Sequence, residues 1–157
     1  MPHEFELVFA LKSGGRNNPV AKANDCIYGY AVGIDLTRRD LQIASRDVKR
    51  PWEIGKAFDS SAPCGPLMPA SKIGHPAKGK IVLKVNGKVR QDGDLNQMIW
   101  NVPETISKLS EMVALEAGDV IMTGTPSGVA ATVAGDKIEC EVEGVGKLAV
   151  TIGPPLK

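Results

Sequence analysis

Residues 4–12, EFELVFALK, decide the fold at the start of the chain, because their side chains alternate in character with a period of two. Successive side chains of a β-strand point to opposite faces, so this stretch predicts a strand with one large apolar face. The opposite face begins with carboxylates and becomes apolar further along, which indicates that it is partly buried there. Phe5, Leu7, Phe9 and Leu11 share the apolar face, whereas Glu4, Glu6, Val8 and Ala10 share the other.

Further strand signals follow along the chain and are separated by turn residues. An apolar run with two glycines closes at Asp35 and predicts a buried strand. Asn86-Gly87 lies between two β-rich runs and is a strong hairpin signal. Two short runs around Gly144 and Gly146 predict a last strand pair. The predicted strands cover residues 4–12, 26–36, 80–91, 120–123, 137–143 and 147–152.

Two helices are expected beside these strands. Thr37 is the expected N-cap of a short helix that follows the strand ending at Asp35. Asn101 is the expected N-cap of a longer helix with Pro103 in its first turn, and Gly118 is expected to end that helix. Because strands dominate, the expected fold class is α+β, mainly β.

Length and composition narrow the class of protein. The 157 residues suit one domain, residues 1–157. With 19 basic and 18 acidic residues and no long charge run, the sequence indicates neither nucleic acid nor a membrane surface as partner. No stretch approaches the roughly 20 apolar residues that span a bilayer, and Glu4 and Glu6 interrupt the apolar run that a signal peptide would need. Three widely spaced cysteines predict reduced thiols in a cytoplasmic protein.

Three carboxylates are candidate metal ligands. Glu4 and Glu6 lie two apart on the first strand and therefore point the same way, roughly 7 Å apart along it. Carboxylate oxygens suit a hard divalent cation, and Asp35 would supply a third ligand while leaving positions for water and substrate. A solvated strand face for the two glutamates and a turn-capping role for Asp35 are the alternatives, and each is favoured when its residues are taken alone.

Four further side chains are candidate substrate contacts. Arg39 and Gln42 lie three apart and share one face of the predicted short helix. Lys56 lies between small and aromatic residues, where it is either a functional cation or an ordinary surface charge. Thr125 lies in a glycine-flanked turn whose backbone N–H groups can hold a carboxylate, although a plain tight turn is the alternative.

The two histidines are poor candidates for a general base. His3 precedes Glu4 on the predicted strand, so alternation places it on the opposite face. His75 lies in a Gly-His-Pro turn and is expected to be exposed. The sequence also lacks a G-x-S-x-G nucleophile signature. It therefore offers carboxylates and cations without a nucleophile or base of familiar pattern.

Four segments, in this order, resemble motifs of the fumarylacetoacetate hydrolase family. Residues 3–7, HEFEL, resemble its H-E-x-E-L segment, and residues 33–42, GIDLTRRDLQ, resemble its D-x-(S/T)-x-R-D-x-Q segment. Residues 55–66, GKAFDSSAPCGP, resemble its G-K-x-F-D…P-x-G-P segment, and residues 123–129, TGTPSGV, resemble its T-G-T-P-x-G-V turn. Residues 50–53, RPWE, are most similar to the fumarylpyruvate and acylpyruvate hydrolase branch of the family.

The resemblance implies a mixed β-sandwich roll of the type found in the C-terminal domain of that family, assembled as a homodimer. It implies metal-dependent hydrolysis of the C–C bond of a 2,4-dioxo acid such as fumarylpyruvate or another acylpyruvate, a reaction of aromatic catabolism. The alternatives are a 2-oxo acid decarboxylase or isomerase and a degenerate, non-catalytic metal-binding scaffold. In the implied site Mg²⁺ or Mn²⁺ is held by Glu4, Glu6 and Asp35, the catalytic cation is Lys56, and the 2-oxo acid is contacted by Arg39, Gln42, Lys56 and Thr125.

The sequence departs from the family pattern at its start. Family members carry, ahead of the metal glutamates, a segment with an Asn-Tyr-x-x-His element and a glutamate that orients this histidine, the base that activates water. The sequence begins three residues before Glu4, so the expected catalytic domain is N-terminally shortened. General-base catalysis contributes a factor of about 10²–10⁴. Weak C–C hydrolysis is therefore expected of this chain, with decarboxylation or enolisation less affected.

Overall fold

The computed structural model of the protein describes residues 1–154 as nine β-strands, four α-helices and three short 3₁₀ helices. The strands are β1 Pro2–Leu11, β2 Ile27–Leu36, β3 Met68–Pro69, β4 Lys80–Val85, β5 Lys88–Asp94, β6 Val120–Met122, β7 Ala130–Ala131, β8 Lys137–Val142 and β9 Gly146–Thr151. The helices are α1 Val20–Ala23, α2 Arg39–Asp47, α3 Ala70–Ile73 and α4 Val102–Met112, and the 3₁₀ helices are Asn24–Cys26, Glu53–Gly55 and Leu95–Gln97.

These strands form two antiparallel sheets. In the first sheet the order is β3-β2-β1-β6, with β7 paired to the start of β1. In the second sheet the order is β5-β4-β8-β9. Strands β1 and β2 contact β4, β8 and β9, so the two sheets lie face to face. The expected mainly β, α+β class is confirmed, and so is the mixed β-sandwich architecture.

Strand β1 supplies the centre of the core, as its alternation predicts. Phe5, Leu7 and Phe9 are fully buried and belong to one apolar cluster with residues of the second sheet such as Leu83 and Ile138. Complete burial of a side chain of this size contributes roughly 1.5–3 kcal/mol. The apolar face of β1 therefore fixes how the two sheets pack, and it leaves the other face of β1 for polar groups.

The hairpin signal at residues 86–87 is confirmed. Asn86 and Gly87 both have positive φ, 50° and 76°, which is the left-handed conformation that a two-residue hairpin turn requires. The register of β4 against β5 shifts between Leu83 and Lys84, where β5 carries one extra residue, Arg90. This shift pairs Leu83 with Gln91 and turns the Gln91 side chain into the protein interior.

Helix α4 begins where the sequence predicts and ends earlier. The Asn101 side chain accepts a hydrogen bond from the amide of Glu104, whose own side chain accepts from the Asn101 amide, so both members of a capping box are formed. The prediction that Gly118 ends this helix is wrong, because the last helical residue is Met112. Buried Leu115 exchanges two backbone hydrogen bonds with Gly15, and this pairing leads the chain away from the helix before a turn at residues 116–119 enters β6.

The start of helix α2 also differs from the prediction. Its N-cap is Arg38 and no side chain caps it, so the assignment of Thr37 as N-cap is wrong by one residue. The Thr37 side chain is fully buried, and its hydroxyl accepts a hydrogen bond from Lys56. Strand β2 begins at Ile27, one residue later than predicted, since Cys26 belongs to a 3₁₀ turn. Among residues 1–154, no helix is both long enough and apolar enough to cross a membrane.

Candidate metal and substrate site

The register of the two central strands brings three carboxylates together. Glu4 of β1 pairs directly with Asp35 of β2, and Glu6 pairs with Gly33. Side chains two apart on a strand share a face, so all three carboxylates emerge on the side of the sheet away from the core. One oxygen from each of Glu4, Glu6 and Asp35 lies within 4.8 Å of the others. This separation allows the three groups to contact a single ion.

Glu6 is the most buried of the three, with 4% of its surface exposed. Gly33, which pairs with Glu6 on the neighbouring strand, has no side chain, and neighbouring side chains fill the space beside it. A Cβ atom on Gly33 would lie 2.5 Å from a methyl of Val8 and 3.1 Å from the Met122 terminal methyl. Burial raises the pKa of Glu6 to about 7, although a hydrogen bond from the Gly124 amide at 2.6 Å opposes the change.

Two cations compensate the other two carboxylates. Lys56 Nζ lies 2.6 Å from Glu4 Oε2, 2.6 Å from Asp35 Oδ2 and 2.9 Å from the Thr37 hydroxyl. Burial alone would raise the pKa of Glu4, but hydrogen bonds and charge from Lys56 and Arg39 outweigh it and hold that pKa below its usual value. Burial would likewise lower the pKa of Lys56, yet its two carboxylate partners raise it. Lys56 is therefore a firmly charged member of the cluster and not a free surface lysine.

Helix α2 supplies the second cation. Arg39 Nη2 donates to Glu4 Oε1 at 2.6 Å, and Arg39 Nη1 donates to Gln42 Oε1 at 2.6 Å. The first turn of the helix thus presents a guanidinium and an amide on one face, as their three-residue spacing predicts. Both side chains border the carboxylate cluster at its open side, where Arg39 retains 37% side-chain exposure.

The donor set fits a hard divalent cation. Three carboxylates against two cations leave one negative charge when all are ionised, and within residues 1–154 Glu6 has no Lys or Arg within 4.0 Å. Glu6, the carboxylate without a cationic partner, is also the most buried of the three, and an uncompensated charge is most unfavourable in a buried position. Oxygen-only donors of this kind are the ligands that Mg²⁺ and Mn²⁺ prefer.

The turn after β6 lies against this cluster. Thr123 is tied to β1, since its amide and hydroxyl both donate to the Leu7 carbonyl, at 3.2 and 2.9 Å. Gly124, with φ of 92°, then directs its amide to Glu6. In the structure, one backbone N–H of this turn, that of Gly124, binds a carboxylate of the protein itself. Thr125 follows immediately, half-buried, with its hydroxyl oxygen 2.8 Å from Gln91 Nε2.

Neither histidine contacts the carboxylate cluster in the described part of the chain. His3 lies on the core side of β1, fully buried, with Nδ1 2.9 Å from Gln91 Oε1, and burial lowers its pKa. His75 is exposed, as expected, and its Nδ1 lies 2.8 Å from the Tyr30 hydroxyl. Sequence reasoning missed Gln91, whose inward orientation depends on the β-bulge at Arg90 of β5, a feature with no signal in the sequence.

Comparison with known proteins gives a consistent result. A family model described as fumarylacetoacetate (FAA) hydrolase C-terminal matches residues 1–153. A fumarylpyruvate hydrolase of Ralstonia sp is 44% identical over 97% of this chain and 79% of its own length. The human mitochondrial oxaloacetate tautomerase FAHD1 is 39% identical over 98% of this chain and 69% of its own length.

Solved structures extend the comparison to the fold. The crystal structure of fumarylpyruvate hydrolase from Pseudomonas aeruginosa, in complex with Mn²⁺ and pyruvate, superposes with a TM-score of 0.96 at 49% identity, covering 98% of this chain and 66% of that one. A 5-carboxymethyl-2-hydroxymuconate delta-isomerase from Mycobacterium smegmatis superposes with a TM-score of 0.91 at 31% identity, covering 99% and 60%. The chain thus spans about two thirds of the length of many of the relatives it matches, for example 64% of a Pyrococcus horikoshii protein to which it is 46% identical.

Proposed function

The chain belongs to the fumarylacetoacetate hydrolase family, and on that premise we propose that it is a divalent-metal-dependent enzyme that hydrolyses the C–C bond of a 2,4-dioxo acid. Fumarylpyruvate or another acylpyruvate is the proposed substrate. The observation that supports this most directly is the cluster of Glu4, Glu6 and Asp35 with Lys56 at its side. A relative 44% identical to the chain is a fumarylpyruvate hydrolase.

Glu4, Glu6 and Asp35 are the proposed ligands of Mg²⁺ or Mn²⁺. When bound, the ion would supply Lewis-acid polarisation of the oxo group of a 2-oxo acid. The chain contributes a preformed acceptor set, because the strand register fixes Glu4 against Asp35 and the Gly124 amide holds one oxygen of Glu6 at 2.6 Å. The remaining side chains then act on the substrate from around this set.

Lys56 is the proposed catalytic cation. Its ammonium is held by three hydrogen bonds, to Glu4, Asp35 and Thr37, so its position is fixed before substrate arrives. A fixed positive charge stabilises negative charge that develops on a substrate oxygen, and it does so with little reorganisation. We propose that Lys56 stabilises enolate character as the C–C bond breaks.

Arg39, Gln42 and Thr125 are the proposed substrate contacts. Arg39 is partly exposed and already oriented by Glu4 and Gln42, and a planar guanidinium suits recognition of a carboxylate. Thr125 adds a hydroxyl beside the Gly124 amide. The homodimer implied by the family resemblance, and a cytoplasmic location in keeping with three free cysteines, belong to the same proposal.

Keto–enol isomerisation or decarboxylation of a 2-oxo diacid is the second candidate. Two relatives named above are an oxaloacetate tautomerase and a delta-isomerase. Such reactions need polarisation of the oxo group and a fixed cation but no attacking water. Hydrolysis assisted by a histidine base of residues 1–154 would require a histidine at the carboxylate cluster. Neither His3 nor His75 contacts that cluster. This observation favours enolisation among the reactions that these residues alone could support.

Turnover assays with two substrates separate these candidates. The chain is incubated with Mn²⁺ or Mg²⁺ and either an acylpyruvate or enol-oxaloacetate, and loss of enol absorbance and formation of pyruvate are followed. Asp35→Asn serves as the matched site variant. Pyruvate release from the acylpyruvate that Asp35→Asn abolishes supports hydrolysis. Loss of enol-oxaloacetate, or its conversion to pyruvate and CO₂, without cleavage of the acylpyruvate supports the second candidate. Failure of the chain to bind Mn²⁺ in calorimetry would overturn both.

A further inference from the structure

Gln91 of β5 is a fully buried amide that uses its whole hydrogen-bonding capacity. Its Oε1 lies 2.9 Å from His3 Nδ1 and 3.3 Å from the Phe5 amide nitrogen. Its Nε2 lies 2.8 Å from the Thr125 hydroxyl oxygen and 2.8 Å from the Pro126 carbonyl oxygen. The side chain therefore links β1 on one side to the turn at the carboxylate cluster on the other.

The main chain fixes which end of the amide faces which way. The Phe5 N–H can only donate, so the atom of Gln91 that meets it is the carbonyl oxygen. The Pro126 carbonyl can only accept, so the atom that meets it is the amide nitrogen. An inverted amide would lose both bonds. Gln91 consequently donates to the Thr125 oxygen, and His3 Nδ1 carries the hydrogen that Gln91 Oε1 accepts.

This direction of donation determines what Thr125 can do. A hydroxyl has one hydrogen to donate and accepts through its oxygen. Because the Thr125 oxygen already accepts from Gln91, its hydrogen is directed elsewhere, and no acceptor for it lies within the described residues 1–154. Thr125 adjoins Gly124, whose amide binds the Glu6 carboxylate at 2.6 Å. The free hydrogen is therefore available to an anionic ligand at the edge of the carboxylate cluster.

We propose that Gln91 is a positioning residue that makes Thr125 an obligatory hydrogen-bond donor to the carboxylate of the bound 2-oxo acid. The inference rests on the proposed function, and it adds the reason why the site selects an anion at this point. His3 and the Phe5 amide act as the fixed end of the link, since they hold Gln91 Oε1 on the core side of β1. Gln91 thus influences substrate binding without touching the substrate.

Replacement of the amide by a carboxylate tests the direction of donation. In Gln91→Glu the side chain keeps its shape and its acceptor for Phe5, and once ionised it can no longer donate to Thr125. Because burial raises the pKa of a carboxyl, the measurement is made at pH 8.5. The Thr125 hydrogen would turn to the new carboxylate and be lost to the ligand. Oxalate, a mimic of the 2-oxo acid end, is titrated into the Mn²⁺-loaded protein by calorimetry. The expected weakening is about 10- to 150-fold, as for loss of one hydrogen bond to a charged group.

A double-mutant cycle separates this role from a general structural one. Thr125→Val removes the hydroxyl and is expected to weaken oxalate binding to a similar extent, whereas Thr125→Ser should retain it. In the Thr125→Val background, Gln91→Glu should have no further effect on oxalate affinity, because the donor is already absent. Additive losses in the double variant would overturn the proposal. Mn²⁺ affinity without oxalate should stay within about threefold of wild type in every variant.

Gln97→Glu is the matched control for added charge. It places a carboxylate in the same cavity wall as Thr125. The one hydrogen bond that the Gln97 side chain makes within residues 1–154, accepted from the Asp94 amide, is one that glutamate can keep. Oxalate affinity equal to that of wild type is expected, and a loss as large as that of Gln91→Glu would overturn the proposal in favour of long-range repulsion. Wild-type protein that fails to bind Mn²⁺ or oxalate refutes the proposed function itself. Wild-type binding that Gln91→Glu leaves unchanged refutes only the role of Gln91.

Neutron diffraction of the wild-type protein keeps the proposal testable should Gln91→Glu fail to fold. After exchange into D₂O, deuterium on Gln91 Nε2 should point at the Thr125 oxygen, and the Thr125 deuterium should point at oxalate. A Thr125 deuterium directed at Gln91 would overturn the proposal.

Discussion

Replacing Glu6 with glutamine should stabilise the metal-free protein at alkaline pH while weakening its binding of Mn²⁺. Glu6 is 4% exposed, and burial raises its pKa from 4.5 to about 7, against the opposing hydrogen bond from Gly124 and with added repulsion from Asp35 and Glu4. One pH unit of difference corresponds to about 1.4 kcal/mol. Ionised Glu6 therefore costs about 3 kcal/mol in the folded, metal-free protein relative to the unfolded chain.

The difference in stability between Glu6→Gln and wild type depends on pH. Because the folded-state pKa lies above the unfolded value, the stabilising contribution of the protonated carboxyl is fully present below pH 4.5 and is lost as the pH rises through 7. Glutamine does not titrate, and its amide oxygen can still accept from Gly124. Glu6→Gln should therefore resemble wild type near pH 5 and exceed its free energy of unfolding by up to about 3 kcal/mol at pH 8.5.

Urea unfolding in the presence of EDTA, followed by circular dichroism at both pH values, measures the difference. Glu139→Gln, the same change at an exposed position on β8, is the matched control and should show no pH-dependent difference from wild type.

Calorimetry with Mn²⁺ measures the effect of the same substitution on metal binding. Wild-type affinity should rise with pH through 7, because Glu6 must lose its proton to bind the ion, and Glu6→Gln should lose that dependence. An equal stability difference between Glu6→Gln and wild type at both pH values would refute the reasoning.

Three further substitutions test other parts of the structure. Lys56→Met should weaken oxalate binding to the Mn²⁺-loaded protein by about 1.5–3 kcal/mol through loss of a charge-assisted contact, and unchanged oxalate affinity in calorimetry would count against its role. Gly33→Ala should lower the free energy of urea unfolding by about 1–3 kcal/mol through overpacking, because the new methyl meets Val8 at 2.5 Å; a variant as stable as wild type would contradict the close packing behind Glu6. Asn101→Ala should destabilise the protein by about 1 kcal/mol through loss of the α4 cap, whereas Asn101→Ser should retain most of that stability, and equal thermal midpoints for the two would argue against the capping role.

The parts of the structure that follow from local pattern could be read from the sequence. Alternation in residues 4–12 predicts both faces of β1, and Asn86-Gly87 predicts the hairpin of β4 and β5. The features that sequence reasoning missed depend on distant partners. Thr37 has the residue type and position of a helix cap, but its hydroxyl is held by Lys56, nineteen positions away in sequence. Gly118 was expected to end α4, but pairing between Leu115 and Gly15 ends the helix sooner.

The candidate site likewise combines features that could be predicted from the sequence with features that depend on distant partners. The family motifs pointed to Glu4, Glu6 and Asp35, and the strand register supplies the physical reason why they meet, since Glu4 lies directly opposite Asp35. Which carboxylate would be left without a cation could not be predicted, because that depends on where Lys56 and Arg39 reach from loops and a helix. Gln91 could not be predicted for a related reason: one extra residue in β5, Arg90, decides whether its side chain points into the interior or into solvent.

The distribution of charge around the three carboxylates links stability to the proposed function. Lys56 and Arg39 neutralise Glu4 and Asp35 and so limit the repulsion that a bare three-carboxylate cluster would suffer. From residues 1–154, Glu6 receives only an amide hydrogen bond, and it is the most deeply buried of the three. A third cation beside Glu6 would stabilise the metal-free protein, but it would also remove the excess negative charge that attracts a divalent ion. Glu6 is therefore the residue at which protonation and metal binding compete, and its unfavourable burial is the part of the fold that binding of the ion would relieve.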